Sequence, residues 1–207
     1  MRVFMLAMSL ALMLLSRTAS AQSWLEFVSA EDRFSVNFPA EPEVEAFDYE
    51  SEFQAIFPAR RYSVARGQDV YSVTVVDFSE SQRIHTEMEK TSAASGSNVW
   101  INDQRASVAR AAREFRQRGG EITYDAWSHL DLVEGHQLQI TNPDGTRTYA
   151  GMYFNGNSNR LYVLEGTISP RSPPAGMFQQ SLRFLDEEGD RVRYRLSPNG
   201  CSLAPDA

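Results

Sequence analysis

Two short turn sequences, Val133-Glu134-Gly135 and Asn142-Pro143-Asp144-Gly145, interrupt runs of alternating apolar residues and so dictate how three successive strands pair. A three-residue first loop with Gly135 left-handed sets Leu132 opposite His136, Leu130 opposite Leu138 and Ser128 opposite Ile140. A two-residue Glu134-Gly135 turn would put Asp131 opposite Leu138 and His129 opposite Ile140, mixing polar with apolar, so the longer loop is expected. The second turn fits a type I turn with a glycine bulge, pairing Asn142 with Thr146, Ile140 with Thr148 and Leu138 with Ala150. One face then carries Leu130, Leu132, Leu138, Ile140, Ala150, Met152 and Phe154. The other carries Trp127, His129, Asp131, Gln137, Gln139, Thr141, Arg147, Tyr149 and Tyr153.

In this reading the meander runs through Glu121–Leu132, His136–Asn142, Thr146–Phe154 and Arg160–Ile168. Earlier strands are expected at Trp24–Val28, Phe34–Phe38, Arg60–Arg66 and Val70–Phe78, with Gly67-Gln68-Asp69 as a hairpin loop. Asn98–Arg118 reads as a helix: Asn98 caps it, Ile101, Val108, Ala112 and Phe115 form a stripe, and Gly119-Gly120 ends it. Shorter helices are expected within Ser79–Ser97 and over Pro174–Leu182. Val73–Val76 and Leu161–Leu164 are apolar on both faces, the mark of strands covered on both sides. The expected fold is therefore α+β, a central antiparallel sheet between helical layers in an α/β/α sandwich.

The N-terminus has the order of a secretory signal: Arg2, an apolar run Val3–Leu15, then Ala19-Ser20-Ala21. That run is too short for a stable membrane anchor, which needs about 20 apolar residues. Cleavage after Ala21 would deliver the chain to the periplasm or the exterior. The division is then signal peptide 1–21, domain 22–185, and a partly disordered tail 186–207. Removing the leader takes two arginines and no acid, leaving a net charge of −9 over 186 residues. Such a chain is repelled by phosphate backbones, which argues against nucleic acid as a partner. Cys201 is the only cysteine, so no intramolecular disulfide forms even in an oxidising compartment. It is either a free thiol or a link between two chains.

The segment Phe34-Ser35-Val36-Asn37-Phe38-Pro39 with Glu41-Pro42 resembles the opening of the PsbP-like domains. Arg160-Leu161-Tyr162-Val163-Leu164 and, after a Pro-rich loop, Phe178-Gln179-Gln180-Ser181-Leu182-Arg183-Phe184 are similar to their last strand and final helix. The resemblance spans Trp24 to Leu185 and implies an antiparallel sheet between helical layers. These are core patterns, so the resemblance implies a fold and no site. The helix Asn98–Arg118 and the chain beyond Asp186 fall outside it.

No catalytic motif stands out: Gly-x-Ser-x-Gly is absent and no phosphate-cradling glycine loop occurs. His129 and His136 are expected on opposite faces, and His85 has no useful spacing to either, so no metal site is expected. Asp186-Glu187-Glu188-Gly189-Asp190 lacks the alternating oxygen ligands of a calcium loop and reads as a solvated turn. No cofactor is implied. Trp127, His129, Gln139, Arg147, Tyr149 and Tyr153 have the makeup of a ligand surface, or else of a sheet face half covered by a helix. Arg105, Arg110 and Arg113, with Arg116 and Arg118, form either a docking patch for an anionic partner or an ordinary solvated helix face. The function expected is a non-catalytic exported domain that binds a protein or small ligand, as an accessory factor of an envelope complex. The alternative is a hydrolase or other enzyme with its site dispersed over loops.

Overall fold

Alternation of inward apolar and outward polar residues builds most of this molecule from strands. The computed structural model describes residues 24–88, 98–196 and 202–203. The expected leader and Cys201 lie outside them. Among the described residues there are twelve strands and three helices. Strands β1 (Leu25–Ser29) to β5 (Asp69–Asp77) include β2 (Phe34–Phe38), β3 (Glu43–Glu50) and β4 (Ile56–Arg66). Helices α1 (Ser81–Glu87) and α2 (Val99–Gln117) follow. Then come β6 (Glu121–Leu130), β7 (Val133–Thr141), β8 (Arg147–Asn155), β9 (Arg160–Ile168), α3 (Gly176–Gln179) and β10 (Arg183–Phe184). A short pair, β11 (Arg195–Leu196) with β12 (Ser202–Leu203), completes the set.

The main sheet has seven strands in the order β3-β4-β5-β9-β8-β7-β6, and every pair is antiparallel. One face is covered by α2, whose Val108, Ala111, Ala112 and Phe115 recur at helical spacing and pack on Leu138, Ile140, Ala150, Met152 and Leu161. Gly119 and Gly120, at φ of 85° and 94°, end that helix. The other face is covered by a second sheet, β1-β2-β10, and by the four-residue α3. Phe34, Val36, Phe38 and Phe184, all fully buried, meet Tyr62, Tyr162 and Leu164 there. Each such ring contributes roughly 1.5–3 kcal/mol by leaving water.

The α/β/α sandwich is therefore corrected: the molecule is mostly β, with one helical layer and a small sheet where a second helical layer was expected. The physical reason is that β10 pairs with β2 through Arg183↔Ser35 and Phe184↔Phe34, using residues expected to close a helix or follow it. The helix expected over Pro174–Leu182 shrinks to Gly176–Gln179. Strand β3, rich in acids, was not expected. It forms because Phe47 and Tyr49 pack against the core under α2 while its acids face outward.

The two turns fared differently. Ile140↔Thr148 and Leu138↔Ala150 pair as expected, with Gly145 at φ 83°. In the first hairpin the loop is Asp131-Leu132, both left-handed at φ 47° and 67°, and Leu130 pairs with Val133. Gly135 is not a turn residue. It lies in β7 because a Cβ there would stand 2.2 Å from both the Met152 carbonyl and Tyr153 Cδ1. The slip turns Trp127 and His129 to the α2 side and leaves Leu130 and Leu132 on the other side, against the small sheet's core. Beyond Asp186, Val192 bonds to Phe184 and the buried Tyr194 hydroxyl reaches Asn155 at 3.0 Å.

Candidate functional site

The six expected ligand-surface residues do not share one face. Tyr149 and Tyr153 are 8% and 0% exposed beneath the small sheet and α3, with Gln139 on the same side of β7. Trp127, 68% exposed, and His129 point to the α2 side. Trp127 stands edge-on to His136 at 5.3 Å. Arg147 is the one of the six that reaches a cavity wall, donating from Nη2 to the Ser172 carbonyl at 2.5 Å.

The basic stripe on α2 is largely neutralised within the chain. Arg110 bonds Glu114 at 2.9 Å and the Ser51 carbonyl at 2.5 Å, and Arg113 donates to Glu52. Arg116 grips Asp125 with two bonds of 2.7 and 2.8 Å, and Arg118 reaches Glu165 at 2.6 Å. Arg105 is exposed. Most of this stripe thus holds α2 to the sheet and to the β3–β4 turn, which removes the positive field that an anionic partner would need.

His129 and His136 lie on the same side of the β6–β7 hairpin, which corrects the expectation of opposite faces. Each is already beside an acid: His136 Nε2 lies 2.5 Å from Asp125 and His129 Nε2 lies 3.9 Å from Glu134. Among the described residues no group of three or more His, Cys, Asp or Glu is placed to hold a metal. The acidic run at 186–190 folds into a turn, with Asp186 Oδ1 accepting from the Glu188 and Asp190 amides at 3.1 and 2.7 Å.

A buried Ser–Asp–His set occurs where α1, α2 and the β3–β4 turn meet. Ser51 donates to Asp103 Oδ2 at 2.5 Å and His85 Nε2 lies 2.8 Å from the same oxygen. The carboxylate sits between the other two, so the set does not have the serine–histidine–acid order of a catalytic triad, and all three are no more than 3% exposed. The arrangement ties α1, α2 and the β3–β4 turn together.

Two cavities of more than 500 Å³ lie on the described residues. One, of about 590 Å³, lies on the sheet beside the β1–β2 turn. On its floor Asp32 accepts two bonds from Arg60 at 2.5 and 2.7 Å and one from Tyr62 at 2.6 Å. Burial and Asp32 push the Tyr62 phenol up to about 12. Arg160, on the same wall, donates to Asp77 at 3.3 Å and keeps a buried Nε without a hydrogen-bond partner among the described residues.

The other cavity, of about 550 Å³, is walled by Trp24, Tyr71 and Phe178 and roofed by Pro173, Pro174 and the exposed Met177. Trp24 meets Tyr71 edge-on at 5.0 Å, and Tyr71 meets Phe178 at 5.2 Å. The rings touch one another and form one continuous apolar wall, with no gap between them. Asp69 pins the roof by accepting from the Ser169 amide and the Ser172 hydroxyl, both at 2.8 Å. Burial, then Asp69, raises the Tyr71 phenol above its ordinary value and keeps it protonated. Arg66 and Asn37 supply polar groups at the rim.

Sequence reasoning missed this site because its wall joins residues about 50 and 100 positions apart; the Pro-rich stretch before Phe178 was the local signal. No family model, no curated protein sequence and no solved structure matches this chain.

Proposed function

We propose that the chain is an exported, non-catalytic binding domain, an accessory factor of an envelope complex, that takes one small and largely apolar molecule in the cavity walled by Trp24, Tyr71 and Phe178. The cavity carries this reading. Its volume of about 550 Å³ falls in the range of small-molecule sites, and its apolar wall is held rigid by ring-on-ring packing. A few polar groups at one end suit orientation of a ligand, as such sites require.

Titration with 1-anilinonaphthalene-8-sulfonate, an apolar fluorescent probe, tests the site. Saturable binding of one probe per chain is expected, with Trp24→Ala weakening it by about tenfold while the melting transition stays cooperative, since one lost aromatic contact is worth ~1–2 kcal/mol. Probe binding unaffected by both Trp24→Ala and Met177→Glu would place the ligand elsewhere and end the reading.

A further inference from the structure

We infer that β6 pairs with β6 of a second copy of this chain, about a two-fold axis through Trp127, joining two seven-stranded sheets into one. The main sheet has two edges, β3 and β6, and their sequences treat self-pairing in opposite ways. Two β3 strands overlapped in full would set Glu43 against the partner's Glu50 and Glu45 against the partner's Asp48. Like charges directly opposite are destabilising, so β3 repels its own copy.

Strand β6 does the reverse. Its pairing with β7 is interrupted between Ile122 and Tyr124, so the regular part is Tyr124–Leu130, whose middle residue is Trp127. Full antiparallel overlap of that part leaves a single register. Trp127 then meets the partner's Trp127, His129 meets the partner's Asp125, and Leu130 meets the partner's Tyr124. Ser128 falls opposite the small side chain of the partner's Ala126. Every pair is apolar with apolar, small with small, or a histidine beside an acid that also holds Arg116 and His136 of its own chain.

Exposure agrees with this register. Tyr124 and Trp127 are 44% and 68% exposed, large apolar surfaces on a strand that pairs on one side only among the described residues. The Trp127 ring is braced edge-on against His136, so it is presented already ordered. An isologous contact of this kind closes at two copies. The net charge of −7 opposes association at long range, so the dimer should tighten as salt screens it.

Sedimentation velocity on the purified chain, in reducing buffer to exclude linkage through Cys201, is the test. A monomer–dimer equilibrium is expected. Trp127→Lys and His129→Asp should each weaken it by about tenfold or more at an unchanged melting temperature. Val44→Lys, on the opposite edge, should leave it unaltered. The far-ultraviolet exciton signal of a paired tryptophan should vanish in Trp127→Phe. A chain that stays monomeric at its highest soluble concentration overturns the proposal, as does a dimer indifferent to both Trp127→Lys and His129→Asp.

Discussion

Asp125 shows how one side chain links the helix to the far end of the sheet. It receives both Arg116 contacts and lies against His136, and these partners, Arg116 first, hold its carboxyl well below the ordinary 3.8, at about 2. A depressed folded-state value means that the stabilisation is complete above the unfolded value near 4 and is lost as the pH falls toward 2. Asp125→Asn should therefore flatten the drop in melting temperature between about pH 4 and pH 2 relative to the native chain. The effect is moderate because the carboxylate is 30% exposed. Identical slopes in the two proteins would show that the contact is idle. Gly135 carries a different lesson at this scale. Its residue type announced backbone freedom, but the reason for it is the ring of Tyr153, a contact that exists only once β7 and β8 have paired.

Among the elements, the hairpin β7–β8 was legible because Asn142-Pro143-Asp144-Gly145 encodes its own turn, with Gly145 at φ 83°. The hairpin β6–β7 was not, since Asp131 and Leu132 adopt left-handed backbone without glycine. Asp131 is tied to Arg191 at 2.7 Å and Leu132 packs on the core, which are tertiary contacts that local sequence does not display. Helix α2 was read to within one residue at each end from its stripe and its glycine stop. What docks the short α1 onto it is the buried His85–Asp103 contact, which leaves His85 Nδ1 and Asp103 Oδ1 without partners among the described residues. Removing one member strands the other, so Asp103→Leu should cost ~3–5 kcal/mol in denaturant unfolding. The double variant His85→Leu/Asp103→Leu should recover part of that loss, Ser51 still lacking its acceptor; a double variant as unstable as the single one would mean that a stranded His85 is not the source of the cost.

At the scale of the whole molecule, the need for two covers on the sheet was readable from Val73–Val76 and Leu161–Leu164, but the identity of the second cover was not. Phe34, Val36 and Phe38 announce a strand, yet its place above the main sheet depends on Phe184, 150 positions away. The cavity wall was hidden for the same reason: Trp24, Tyr71 and Phe178 acquire a common purpose only in three dimensions. Export is tested by N-terminal sequencing of chain released by osmotic shock, for which Gln22 is the expected first residue; an intact Met1 would remove the leader assignment. The acids along β3 have one more consequence. A sheet with two receptive edges behaves as a bifunctional monomer and grows into ribbons without limit, whereas one with a single receptive edge is monofunctional, and chain growth terminates after one step. Glu43, Glu45, Asp48 and Glu50 would in that sense act as end-caps, limiting a sheet that adds copies at β6 to a single addition.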